Sequence, residues 1–266
     1  MPHQAGPVRS RIGGLVAVVL ILFPPVANGH WNFPAPPPPE EYGNILINRT
    51  SEKDKVKPAV FSHWIHRKKH TCRVCHFELE FNMKANTTGI TEEANRSGQY
   101  CGACHGRNDL FGFEKQNCVK CHNGDVRSGS DRFTENRHFP EALYGNGIDW
   151  MQALEEKWIT PAHHLSIPQP SNMSEGKELE LESNWTGTPS AVFSHARHSK
   201  WHDCNDCHPG IFTIKKKATE HFEMIRNIQG DFCGVCHRTV AFPLTDCKRC
   251  HPRFRNPPWY PSPVSR

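Results

Sequence analysis

Twelve cysteines in this 266-residue chain fall into six Cys-x-x-Cys pairs, and a histidine follows every pair directly. They are Cys72-Arg-Val-Cys75-His76, Cys101-Gly-Ala-Cys104-His105, Cys118-Val-Lys-Cys121-His122, Cys204-Asn-Asp-Cys207-His208, Cys233-Gly-Val-Cys236-His237 and Cys247-Lys-Arg-Cys250-His251. Two thiols at this spacing can add to the two vinyl groups of one haem. The adjoining histidine then lies under the ring and supplies the proximal ligand to iron.

Two other chemistries use paired cysteines. Zinc ribbons take two Cys-x-x-Cys pairs per metal, and secreted proteins join many cysteines as disulfides. Neither needs a histidine after every second cysteine. The sequence therefore predicts six covalent c-type haems, with His76, His105, His122, His208, His237 and His251 as proximal ligands. Composition agrees. Hydrophobic residues make up 36%, and Pro (22) and Gly (19) are plentiful, so side chains alone make a thin core. Six flat macrocycles would supply the missing apolar area, and folding would then be linked to haem. The expected fold is haem-dominated, mainly short α-helices and loops with little sheet.

The chain also repeats itself. Residues 61–76 read FSHWIHRKKHTCRVCH, and residues 193–208 read FSHARHSKWHDCNDCH. Cys72 matches Cys204, and Cys101 matches Cys233, at an offset of 132; Cys118 matches Cys247 at 129. Two modules of three motifs follow, over residues 58–127 and 189–254. A proline-rich arm (30–57, with an extended stretch at 34–39) precedes them, and a proline-rich tail (255–266) follows. The linker, 128–188, contains a helix signal near 149–158: Asp149 as a cap, then Met151, Leu154 and Trp158 at helical spacing, with Pro161 closing the run. It reads as a packing helix between modules. Residues 171–187 are polar and read as loose.

At the start, Arg9 and Arg11 precede an apolar run at 12–23, and Ala27 and Gly29 stand before a plausible cut ahead of His30. That is the pattern of a secretory signal peptide (1–29), and the run is short for a bilayer span. The expectation is a soluble, exported protein, in the periplasm or at the outer surface.

Phe-x-His-x-x-His followed by three Cys-x-x-Cys-His motifs within about seventy residues resembles the small triheme cytochromes of the c-seven type, relatives of the tetrahaem c-three type. The resemblance covers both modules. It implies that His63 serves the haem on Cys72/Cys75 and His66 the haem on Cys101/Cys104. Likewise His195 would serve the haem on Cys204/Cys207, and His198 the haem on Cys233/Cys236. The family sets the third haem's distal histidine shortly before the second motif. In module 2, His221 lies in that region. Module 1 has no histidine between His76 and His105, so its third haem must look elsewhere. His138 stands first, then His163 and His164, with His70 as a further candidate and Met83 last. His70 and His202 recur two residues before a motif, either as distal ligands or as hydrogen-bonding groups.

The formal charge of +5 overstates the balance. Without Arg9 and Arg11, and with two propionates per haem, the holoprotein is roughly −3 oxidised and −9 reduced. The basic runs 67–69 and 215–217 therefore read as neutralising propionates or steering an acidic redox partner. Export and haem argue against nucleic acid.

These readings converge on an electron-transfer carrier between redox proteins rather than an enzyme. The resemblance implies anaerobic respiration, with extracellular metal or a porin–cytochrome complex as further partners. Two alternatives differ in kind. A multihaem reductase would need one open iron, and a haem-filament subunit would need histidines such as His30, His138, His163 or His164 to reach a neighbouring chain.

Overall fold

The computed structural model describes residues 33, 35–106, 110–168, 178–183, 188–213 and 223–255. The signal-like segment, His221, the basic run 215–217 and most of the tail lie outside them. Among the described residues no helix is long and apolar enough to cross a membrane.

Each repeat opens in the same way. In the first, β1 (Asn44–Ile47) pairs antiparallel with β2 (Ala59–Ser62), in register Asn44↔Ser62 to Ile47↔Ala59, and the chain turns directly into helix α1 (His63–Arg67). Then come a π-turn at Val74–Glu78, helix α2 (Glu92–Arg96), a 3-10 turn at Tyr100–Ala103 and helix α3 (Cys118–Cys121). The linker contributes a 3-10 stretch at Ser130–Asn136 and helix α4 (Trp150–Glu155). The second repeat has β3 (Leu179–Leu181) paired antiparallel with β4 (Ala191–Phe193), then α5 (His195–Ser199), α6 (Cys204–Cys207), α7 (Met224–Gln229), α8 (Gly234–His237) and α9 (Cys247–Cys250).

Two segments differ from the sequence reading. Residues 44–47, inside the stretch read as the proline-rich arm, form β1, and the Glu40 carbonyl accepts from Trp64 Nε1 at 3.2 Å. Residues 179–181, inside the stretch read as loose, form β3. Apolar residues at 45–47 and at 179 and 181 each need only one partner strand, and short polar-flanked runs carry too weak a pattern to announce a pair.

Helix α4 is capped by Asp149, whose Oδ1 accepts from the amides of Met151 (3.1 Å) and Gln152 (3.0 Å). It stops before Trp158. Lys157 adopts φ 61°, and the amides of Lys157 and Trp158 return to the carbonyls of Leu154 (3.2 Å) and Ala153 (2.8 Å). That is a Schellman ending with lysine where glycine is usual. Trp158 is turned outward and half exposed, at 50%.

The side-chain core sits where the linker meets both repeats. Trp64 from the first repeat, Trp201 from the second, and Phe139, Ile148, Trp150, Ala153 and Ile159 from the linker form one buried cluster. The linker also pairs with the chain just ahead of the first motif: Ala162 N donates to Lys69 O at 2.8 Å, and Thr71 N to Ala162 O at 3.0 Å. Buried Arg73 ties the three parts together. Its guanidinium reaches Glu78 (2.6 Å), Asp203 (3.1 Å) and the His163 carbonyl (3.0 Å), and its amide donates to Trp201 O at 2.9 Å. Glu78 in turn accepts from three consecutive linker amides, Leu165 (3.0 Å), Ser166 (2.9 Å) and Ile167 (3.1 Å).

Candidate haem sites

None of the twelve cysteines is in a disulfide. Four of the six pairs lie at the ends of, or just outside, one-turn helices: α3, α6, α8 and α9 each carry one or both thiols of a motif. One helical turn puts residues three apart on one face, so both sulfurs of a pair can meet one planar ligand. Burial pushes several thiols up, to about 12 at Cys75, Cys236 and Cys250 and about 11 at Cys101 and Cys207, whereas at Cys72 burial is outweighed by the neighbouring His202 and the thiol is lowered. Among the described residues, no three His, Cys, Asp or Glu side chains converge around a common point. A thioether needs no thiolate in the mature protein, so these thiols suit covalent attachment.

In helices α5 and α1 the preceding serine starts the turn. Ser194 Oγ accepts from Arg197 N at 3.4 Å, whereas Ser62 makes no side-chain cap. The second motif of each repeat begins with an unusually close approach. A Cβ on Gly102 would lie 1.7 Å from Asn95 O, and one on Gly234 would lie 1.8 Å from Asn227 O. Only glycine fits directly after Cys101 and Cys233.

The histidine after each pair is held in the same way six times. Nδ1 faces a backbone carbonyl: Phe81 for His76 (2.7 Å), Phe111 for His105 (3.3 Å), Lys57 for His122 (2.9 Å), Phe212 for His208 (2.7 Å), Phe242 for His237 (2.8 Å) and Pro189 for His251 (2.7 Å). A carbonyl can only accept, so Nδ1 carries the proton and Nε2 keeps its lone pair. Burial lowers His76, and lowers His237 to about 4, which keeps both imidazoles neutral. A neutral ring with a fixed tautomer and a free Nε2 is what a metal requires.

The Phe-x-His-x-x-His segments are equally regular. Phe61 stacks on His66 (4.3 Å between centroids) and meets His63 edge-on (4.8 Å). Phe193 stacks on His198 (4.4 Å) and meets His195 edge-on (4.8 Å). His66 and His198 also send Nδ1 to carbonyls, of Ser62 (2.9 Å) and Ser194 (2.8 Å), and His63 sends its own to Gly43 O (2.8 Å). The structure then brings rings together across repeats of the motif. His66 faces His105 at 6.3 Å, and His198 faces His237 at 6.2 Å. His63 lies within electrostatic range of His76, and His195 of His208.

The family described as "Cytochrome c7 and related cytochrome c" matches residues 59–123 and 191–252. Those two segments are multihaem c-type cytochrome domains of the c7 family. Two solved structures are similar. The C-terminal hexaheme fragment of GSU1996 shares 24% identity over 82% of this chain and 99% of its own, with a TM-score of 0.26. The N-terminal hexaheme fragment shares 23% over 80% of this chain and 99% of its own, with a TM-score of 0.25. A search of curated proteins returns no match.

The residues fit a haem group. An imidazole centroid lies about 1.1 Å from Nε2, and a metal–imidazole bond is about 2.0–2.1 Å, so axial rings of one iron have centroids about 6.3 Å apart. The His66–His105 and His198–His237 spacings meet that value. The electrostatic neighbours of the thiols also connect the c7 modules. Cys121 neighbours Cys101; Cys101 and Cys104 neighbour Cys75; Cys72 neighbours Cys207 and Cys236; Cys233 neighbours Cys207 and Cys250. The series crosses from one module to the other at Cys72.

The remaining candidates are scattered. His138 is exposed and packs on Phe139 (4.3 Å) and Trp158 (6.2 Å). His163 gives its carbonyl to Arg73 and sits beside exposed His164, and Met83 is half-buried in the loop before α2. His70 has a buried Nδ1 without a partner, near His66. His202, at the module boundary, shares a 2.9 Å hydrogen bond with Asp206 and another with the Cys72 thiol. Among the described residues no histidine ring faces His122 or His251 as His66 faces His105.

Nor is the basic run 67–69 a free steering surface. Arg67 donates to Val240 O of the second module at 3.1 Å, and Lys68 to Asn136 Oδ1 at 3.0 Å; only Lys69 is exposed. Sequence reasoning missed the six carbonyl acceptors. A signal existed for four: a phenylalanine stands four to six residues after His76, His105, His208 and His237. The other two, Lys57 and Pro189, each lie two residues ahead of β2 and β4.

Proposed function

We propose that this cytochrome is an exported hexahaem electron carrier. The thioether positions are the twelve cysteines, and His76, His105, His122, His208, His237 and His251 supply the proximal nitrogens. His63, His66, His195 and His198 supply the distal nitrogens of the first two haems in each module. Haem, when bound, supplies one-electron chemistry at its exposed edge. The chain's part is to hold each imidazole neutral, aim its Nε2, and keep successive sites close. At those four sites an iron held by two imidazoles would have no place for substrate, and its potential would be low. Export rests on the charge, apolar run and small residues of positions 9–29, and redox proteins are the partners such a carrier serves.

The observation that carries this reading is the pair of 6.2–6.3 Å ring spacings with Nδ1 of every ring on a carbonyl. Replacing His66 with glycine tests it. Low-temperature EPR of the oxidised holoprotein is expected to show one low-spin centre converted to high-spin, with the haem count unchanged. An unaltered spectrum would remove His66 from the ligand set.

A further inference from the structure

The two modules meet at Arg67. Its guanidinium donates to Val240 O at 3.1 Å and lies over the rings of Trp150 (5.3 Å) and Trp201 (5.8 Å). Beside it, Tyr42 OH donates to Ala241 O at 2.8 Å. The next residue, Phe242, offers the carbonyl that fixes His237. Two side chains from the first module's end of the chain therefore pin two consecutive residues of the second, and the residue after them sets a proximal imidazole. Arg67 also lies within electrostatic range of both Cys72 and Cys236, which belong to different modules. The repeat offers no second copy: the position matching Arg67 is Ser199.

We propose that Arg67 is the positioning residue of the inter-module crossing, placing a fixed positive charge between the Cys72/Cys75 site and the Cys233/Cys236 site. This rests on the electron-carrier reading and deepens it. Burial pushes the pKa of Arg67 down, yet a guanidinium stays protonated in proteins. Reduction removes one positive charge from a haem iron, so a nearby fixed cation favours the reduced state at both sites. The effect falls off with distance and screening. The other four sites then keep their potentials. Electrons would then gather at the two sites nearest Arg67, one in each module, and either module could deliver to the other.

The experiment is a redox titration of the holoprotein, followed haem by haem through haem-methyl NMR, in wild type, Arg67→Gln and Arg67→Lys. Glutamine keeps a donor for the Val240 carbonyl and removes the charge; Arg67→Met serves should it not mature. The expected result is a downward shift confined to two haems, with the reduced-to-oxidised ratio at fixed potential falling about tenfold at each. Arg67→Lys is expected to restore both. A merely structural role would move all six or none, and either outcome overturns the proposal. Wild-type protein without covalent haem would overturn the carrier reading and this inference together. Six haems with unaltered potentials in Arg67→Gln would overturn this inference alone.

Discussion

The two modules place the same rings at the same distances, yet the residues around those rings differ. Phe61 and Phe193 stack on their histidines at 4.3 and 4.4 Å, and His66–His105 and His198–His237 stand at 6.3 and 6.2 Å. Elsewhere the match fails. Trp64 answers to Ala196, Arg67 to Ser199, Arg73 to Asn205 and Val74 to Asp206. Of these first-module residues, Trp64, Arg67 and Arg73 are turned to the linker or to the second module. His202 has Asp206 for its Nδ1, while the Nδ1 of His70, beside Val74, is buried without a partner. After duplication, what holds haem stayed alike, and what differs joins the copies. The shared frame sets each site, and the unshared residues set the geometry between sites.

The largest effect is expected where the copies agree. Gly102→Ala and Gly234→Ala each drive a Cβ into a backbone oxygen, so the turn carrying the second motif cannot close. Each is expected to abolish the native low-spin spectrum of its own module's second haem, read by EPR. A normal spectrum in both variants would mean that the close approach is not needed.

Where the copies differ, the cost should fall on one side only. Arg73→Met leaves Glu78 and Asp203 facing each other without their cation, at a cost of about 3–5 kcal/mol. Asn205→Ala, its counterpart on an exposed position, should stay within about 0.5 kcal/mol. Guanidinium unfolding followed at the Soret band measures both, and equal losses would break the asymmetry. Trp64→Ala opens a cavity in the junction core and should cost about 3–5 kcal/mol. Because Ala196 already stands at the matching place, the effect has no analogue in the second module.

The smallest effect concerns the tie between the linker and the last motif. Burial pushes the Asp149 carboxyl up, but the Gln152 and Met151 amides and Arg249 outweigh it and hold it below the ordinary 3.8. Its contribution is therefore present above pH 3.8 and lost as pH falls through the folded value. Asp149→Asn keeps the cap and loses the pair with Arg249, for about 1 kcal/mol or less. The gap from wild type should close below pH 3.8, and a gap constant with pH would assign it to something other than that charge.

Much of this was legible beforehand because it rests on spacing. Six Cys-x-x-Cys-His motifs, the offset of 132 and the Asp149 cap are local patterns, and local chemistry enforces them. The packing at the module boundary was not legible. Arg67 reads as one charge in a basic run, and nothing nearby announces that Val240, 173 positions on, takes its hydrogen bond. Strands β1 and β3 were missed for a related reason: three or four residues paired with a single neighbour leave almost no periodicity. Trp158 shows the opposite error, since helical spacing continued in sequence after the Lys157 turn had ended the helix.

The most direct test of the account is low-temperature EPR of the fully oxidised holoprotein, with haem quantified on the same sample. The account predicts six haems per chain, of which at least four are low-spin: those served by His63, His66, His195 and His198. Fewer than six haems, or a high-spin signal from more than two irons, would contradict it.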